Sequence, residues 1–281
     1  FVADIVTDEM AVQMVRDSVG DDELEVNILD VDKWRAVADV AETFQAGRIF
    51  LAGDAAHTMP PTGGFGGNTG IQDAHNLSWK LAMVLQGHAG GKLVDTYDQE
   101  RQPSGTLAVE QAYNRYVTRS DPDLGTEGMH EAVPDMHVEF NRYRSDAVIP
   151  DEDYVDDGVL DIDPRESRGL PGTRAPHVEL NRDGKTISTL DLYMGDFVLI
   201  AGPEGAAWAE AAATAQSQVG VEVVSYTVGP NDGDFATAYG VGPSGAALVR
   251  PDGYVAWRAP AHTADAADRV TAVLRQVLAL T

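Results

Sequence analysis

Residues 47–85 read GRIFLAGDAAHTMPPTGGFGGNTGIQDAHNLSWKLAMVL, and the rest of the chain is read outward from them. Ile49, Phe50, Leu51 and Ala52 form a short apolar run, the pattern of a buried strand. Gly53 and Asp54 then set a carboxylate at the strand's carboxyl end, where open α/β folds hold their ligands. The loop that follows carries Pro60, Pro61, Gly63, Gly64, Gly66 and Gly67. Proline stiffens such a loop, and glycine lets backbone N–H groups approach a flat ligand. Asn68 and Thr69 read as helix-opening residues, and Ile71, Leu77, Leu81, Val84 and Leu85 follow at helical spacing.

This stretch resembles the second flavin-binding motif of the class A flavin-dependent aromatic hydroxylases, the para-hydroxybenzoate hydroxylase-like family. The matching residues are Gly53-Asp54-Ala55-Ala56-His57, Pro60-Pro61-Thr62-Gly63-Gly64, Gly66-Gly67-Asn68-Thr69-Gly70, Asp73 and residues 76–81. The resemblance implies FAD as cofactor, with NAD(P)H as co-substrate. It implies that Gly53 and Asp54 meet the ribityl chain and that Pro60, Pro61, Gly63 and Gly64 lie along the isoalloxazine. Gly66, Gly67 and Asn68 would face the pyrimidine edge, where a helix N-terminus contributes about half a positive charge. His57 either contacts the flavin or substrate side or is hydrogen-bonded within its own loop. Phe65 either touches the flavin edge or fills space. No residue is assigned a catalytic role, because the flavin carries the chemistry.

The chain has 281 residues, enough for roughly two domains. Its formal net charge is −25, which disfavours a phosphate backbone as partner. There is no cysteine, so disulfides, thiolate metal sites and cysteine catalysis are excluded. The acids of residues 143–163 lack EF-hand spacing, and no metal site is expected. No apolar run reaches membrane-span length, and a cytoplasmic protein is expected.

Before the motif, a helix is expected from about Asp8 to Val19 with Gly20 as its stop, then a strand over 25–31. Trp34 and Arg35 either face a substrate or, for Trp34, sit in the core. After it, residues 93–114 read as a second helix, in which Glu100 and Arg101 suggest a structural ion pair. From 165 onward a new unit is expected: strand 197–201, helix 204–218, strand 221–228, strands 246–250 and 254–258 around Pro251-Asp252-Gly253, and a terminal helix over 264–280. That order resembles the thioredoxin-like domain appended to phenol and polyketide hydroxylases. Its loop at 202–208 holds no Cys-x-x-Cys, so no disulfide exchange is expected. Deletion from Arg165 onward is expected to lower stability or solubility while leaving flavin binding recognisable.

The fold class expected is therefore α/β, α+β in part. Residues 1–164 would be the carboxy-terminal portion of an FAD- and substrate-binding monooxygenase domain, and 165–281 a thioredoxin-like domain. No G-x-G-x-x-G follows a strand, so the ADP portion of FAD has no site here. A missing amino-terminal half of the same enzyme is the expected partner, with a small aromatic substrate, O2 and a possible homodimer. Two other outcomes stay open: a Baeyer–Villiger or epoxidising flavin monooxygenase, and a non-catalytic truncated interaction protein.

Overall fold

Helices α2 (Phe65–Leu85) and α3 (Asp95–Ser120) form the scaffold on which the motif sits. They belong to a computed structural model that describes residues 6–31, 36–151, 158–193, 195–229 and 231–280. Phe1–Val37 form one compact unit and Ala38–Thr281 another. In the first, helix α1 (Asp8–Val19) starts at Thr7, whose side chain accepts from the Met10 amide, and stops at Gly20 in the left-handed region, φ 78°. Gly20 is the stop read from the sequence, and threonine is a favoured N-cap. Residues 25–31 form no strand, a correction to the sequence reading. Trp34 and Arg35 lie outside the described residues.

In the second unit, β1 (Asp39–Val40) pairs with β4 (His57–Thr58), and β2 (Gln45–Ala46) with β3 (Ile49–Phe50), all antiparallel and two residues long. The strand at 49–52 is thus shorter than its apolar run. It gives way to a 3-10 turn over Gly53–Ala55. Helix α2 begins at Phe65 rather than at Asn68, because Gly64 takes the left-handed N-cap conformation, φ 71°. A short helix α4 (Asp135–Glu139) then packs near both long helices.

The hairpin of β5 (Glu179–Arg182) and β6 (Lys185–Ser188) turns through Asp183 and Gly184, both at positive φ. Asp-Gly is the dipeptide such a two-residue turn favours. Next come β7 (Phe197–Ala201), α5 (Trp208–Val219), β8 (Val223–Thr227), α6 (Phe235–Tyr239), β9 (Ala246–Val249), β10 (Val255–Ala259) and α7 (Ala266–Val277). The sheet order is β10-β9-β7-β8, with β7 and β8 parallel and the other pairs antiparallel. A parallel pair needs a crossover, and α5 supplies it.

Every residue of β7 and β9 is buried, because the sheet has a core on each face. Phe197, Leu199 and Ala201 point to a core shared with α5 and α7, whereas Val198 and Ile200 point to one shared with Phe235 and Tyr239 of α6. The first core also takes in Trp79 of α2 and Leu93. Trp79 meets Phe197 edge-on at 5.8 Å. The motif helix and the carboxy-terminal sheet therefore share one hydrophobic core.

Candidate functional site

The motif forms an open ledge rather than a closed cavity. At its floor, the turn Gly53–Ala55 leaves Asp54 exposed, with no hydrogen bond or ion pair among the described residues. Pro60 is buried and anchors the loop, and Gly63, Gly64 and Gly67 are exposed. A Cβ at Gly64 or Gly67 would meet nothing within 4 Å, so both glycines border open space. The Thr62 hydroxyl ties the loop to α3 by donating to the Ala112 carbonyl at 2.5 Å.

Helix α2 begins on this ledge with no side chain capping its amides and no acid in its first turn. With Gly64 as N-cap, the N–H groups of Phe65, Gly66 and Gly67 are left without an intrahelical acceptor, whereas the Asn68 amide can already reach the Gly64 carbonyl. Their partial positive charge favours an anion or a carbonyl edge. Asn68 does not cap the helix; its side chain donates to Glu139 at 2.5 Å. An exposed carboxylate for hydroxyls, an uncapped helix start for an electron-rich edge and a glycine ledge between them fit a flavin.

His57 and Phe65 are turned away from the ledge. His57 Nε2 lies 2.8 Å from Asp73 Oδ2, with both side chains fully buried, so its bond is to α2 and not to its own loop. Phe65 packs against Ala108, Ala112 and Val138 under the Arg115 guanidinium, 4.8 Å from the ring, and fills space.

Two buried polar clusters support the ledge. In the first, Asp73 also accepts from the Gly53 amide at 3.0 Å and from Arg101 Nε at 2.8 Å. Burial pushes the Asp73 carboxyl up, but the His57 hydrogen bond, the Arg101 charge and the Gly53 amide outweigh it and hold it below the usual carboxylate range. Arg101 continues to the Tyr143 hydroxyl at 3.0 Å and the Thr69 carbonyl at 3.2 Å.

In the second cluster, Glu100 receives Lys80 at 2.7 Å, Arg250 at 2.6 and 2.8 Å, Asn76 at 2.6 Å and the Ser145 hydroxyl at 2.6 Å. Arg250 also holds Asp252, to which Trp79 Nε1 donates at 3.1 Å. Two cations and two carboxylates balance inside this cluster. Burial pulls the Lys80 ammonium down to about 8 against the opposing pull of Glu100. Glu100 and Arg101 do not pair with each other, because neighbours in sequence point to different sides of a helix. Sequence reasoning missed Arg250 and Asp252 as partners of the motif. Among the described residues there is no group of His and acids able to hold a metal ion, and no helix long and apolar enough to cross a membrane.

The family model of an FAD binding domain matches residues 3–112, and that of the aromatic-ring hydroxylase C-terminal region matches 168–280. The 4-methyl-5-nitrocatechol 5-monooxygenase of Burkholderia sp is 48% identical over 281 residues, covering 97% of this chain and 51% of the relative. Aklavinone 12-hydroxylase RdmE of Streptomyces purpurascens is 41% identical over 278 residues, covering 97% of this chain and 51% of the relative. Among solved structures, the ternary complex of aklavinone-11 hydroxylase with FAD and aklavinone superposes with a TM-score of 0.88 at 39% identity, covering 99% of this chain and 52% of that one. The chain spans about half the length of the curated relatives it matches.

Proposed function

The chain belongs to the FAD-dependent aromatic-ring hydroxylases, and from that premise we propose that its ledge holds the ribityl–isoalloxazine part of FAD. The observation that carries this reading is the exposed Asp54, unpaired among the described residues, in a turn packed against α2, whose start is uncapped. Bound there, the flavin would supply the redox chemistry by which two electrons from NAD(P)H reduce O2, one oxygen atom going to an aromatic ring and the other leaving as water.

The chain's own residues do the holding and tuning. Asp54 accepts ribityl hydroxyls, and Gly53 lets the chain pass close to the backbone. Pro60, Pro61, Gly63 and Gly64 give a stiff, side-chain-poor surface for the ring. The helix start at Gly66, Gly67 and Asn68, with the free amides of Gly66 and Gly67, stabilises negative charge where it grows on the pyrimidine edge. In this reading the ADP portion of FAD is held by sequence outside this chain, and a small phenolic or polyketide aromatic is the substrate. Residues 165–281, with their β-α-β then β-β-α order, serve as a thioredoxin-like scaffold without thiol chemistry.

Asp54→Ala tests the reading. It removes a charge-assisted hydrogen bond worth roughly 1.5–3 kcal/mol, so FAD affinity should drop about tenfold or more. Asp54 is exposed and unpaired, so the unfolding midpoint should stay where it is. An unchanged dissociation constant in flavin fluorescence titration removes Asp54 from the site.

A further inference from the structure

We propose that Asp73 is the positioning residue of the flavin ledge, clamping the Gly53–Asp54 turn to helix α2. The inference rests on the flavin reading above and adds to it the group that sets the separation of its two halves. The turn and the helix start are distinct elements, and a ring system can meet both only if their spacing is fixed. One carboxylate fixes it. Asp73 Oδ2 accepts the Gly53 amide at 3.0 Å and His57 Nε2 at 2.8 Å, so the chain is held on either side of Asp54. The other oxygen accepts Arg101 Nε at 2.8 Å, which ties the clamp to α3.

The geometry around the clamp is built for close approach. A Cβ at Gly70 would stand 3.1 Å from the Gly53 Cα, so a glycine here lets the turn lie against the helix. Gly53 itself sits at φ +59°, a conformation glycine adopts without strain. His57 Nδ1 has no hydrogen-bond partner, which assigns the ring proton to Nε2, pointing at Asp73. Three donors thus converge on one buried carboxylate, while Asp54 next door is left free.

A purely structural role can be separated from positioning. A buried ion pair is often replaceable by apolar residues of similar size without loss of stability. Asp73→Leu/Arg101→Met removes both charges together but leaves the Gly53 amide and the His57 Nε2–H without an acceptor, so the thermal midpoint is expected to fall, and exchange and FAD affinity are read well below it. The Gly53 amide loses its acceptor, so its hydrogen exchange, followed without FAD, should quicken about tenfold or more. The FAD dissociation constant should rise about tenfold or more.

If the double variant keeps both the slow Gly53 exchange and the FAD affinity, the proposal is overturned. If the unaltered protein takes up no FAD, the flavin reading fails, while Gly53 exchange still judges the clamp. Should the double variant not fold, Gly70→Ala decides. Alanine favours the helix more than glycine does, so stability should not fall on that account, yet the added Cβ pushes the turn outward. FAD binding about threefold weaker or more, with an unlowered midpoint, supports positioning, and unchanged binding overturns it.

Discussion

Removing residues 165–281 is expected to leave a chain that does not fold. The sequence suggested a separable second unit whose loss would spare flavin binding. The packing argues otherwise. Trp79 and Leu93 are buried in a core whose other walls are β7, β9, β10, α5 and α7. Exposing each such side chain costs about 1.5–3 kcal/mol. The end of the chain also closes over the turn after α2: the Gly90 amide donates to the Leu278 carbonyl at 2.8 Å, and a Cβ at Gly90 would lie 2.1 Å from the Ala279 carbonyl oxygen. Truncation would also strip Glu100 and Trp79 of their Arg250 and Asp252 partners. Near-ultraviolet circular dichroism and a thermal melt of residues 1–164 provide the check. A cooperative transition in that fragment would show that the two segments fold independently.

Arg250→Met should be the most damaging single substitution in the buried cluster. Arg250 gives Glu100 two hydrogen bonds and Asp252 two more, all with essentially no solvent exposure. Burial raises the Glu100 carboxyl, and the charges of Arg250 and Lys80 bring it well below its usual range. Without Arg250, the balanced cluster retains one cation for two carboxylates. Stripping one partner from a buried pair costs about 3–5 kcal/mol, far above the value of the favourable pair itself. The urea midpoint should fall accordingly. Arg165→Met, which removes an arginine 72% exposed beside Asp163, should leave it unmoved. Equal midpoints for the two variants would mean that the cluster contributes no stability.

The contrast between local and distant signals explains what the sequence made legible. The strand-turn-helix motif, its free carboxylate and its glycine ledge are all encoded within residues 49–68, so they could be read there. The αβ and ββα elements after 197 were legible from apolar runs and from Pro251-Asp252-Gly253. The start of α2 was misplaced because asparagine is a common cap, whereas here the left-handed Gly64 starts the helix. Residues 25–31 alternate like a strand, but a strand needs a partner and they pair with no strand among the described residues. The β5–β6 hairpin carried its Asp183-Gly184 signal and was passed over. Arg250 and Glu100 are 150 residues apart, and nothing local marks either as the other's partner. Asp73 stood inside the motif, but its work depends on Gly53, His57 and Arg101 converging in space.

Hydrogen–deuterium exchange of the protein with and without FAD tests the flavin ledge most directly. The account predicts slowed exchange in two stretches, residues 53–58 and 62–69, where the Gly53–Asp54 turn and the start of α2 meet the flavin. Exchange in β7 and β9, already enclosed on both faces, should not change. Protection confined to other parts of the chain, or none at saturating FAD, would contradict the assignment of this ledge to the flavin.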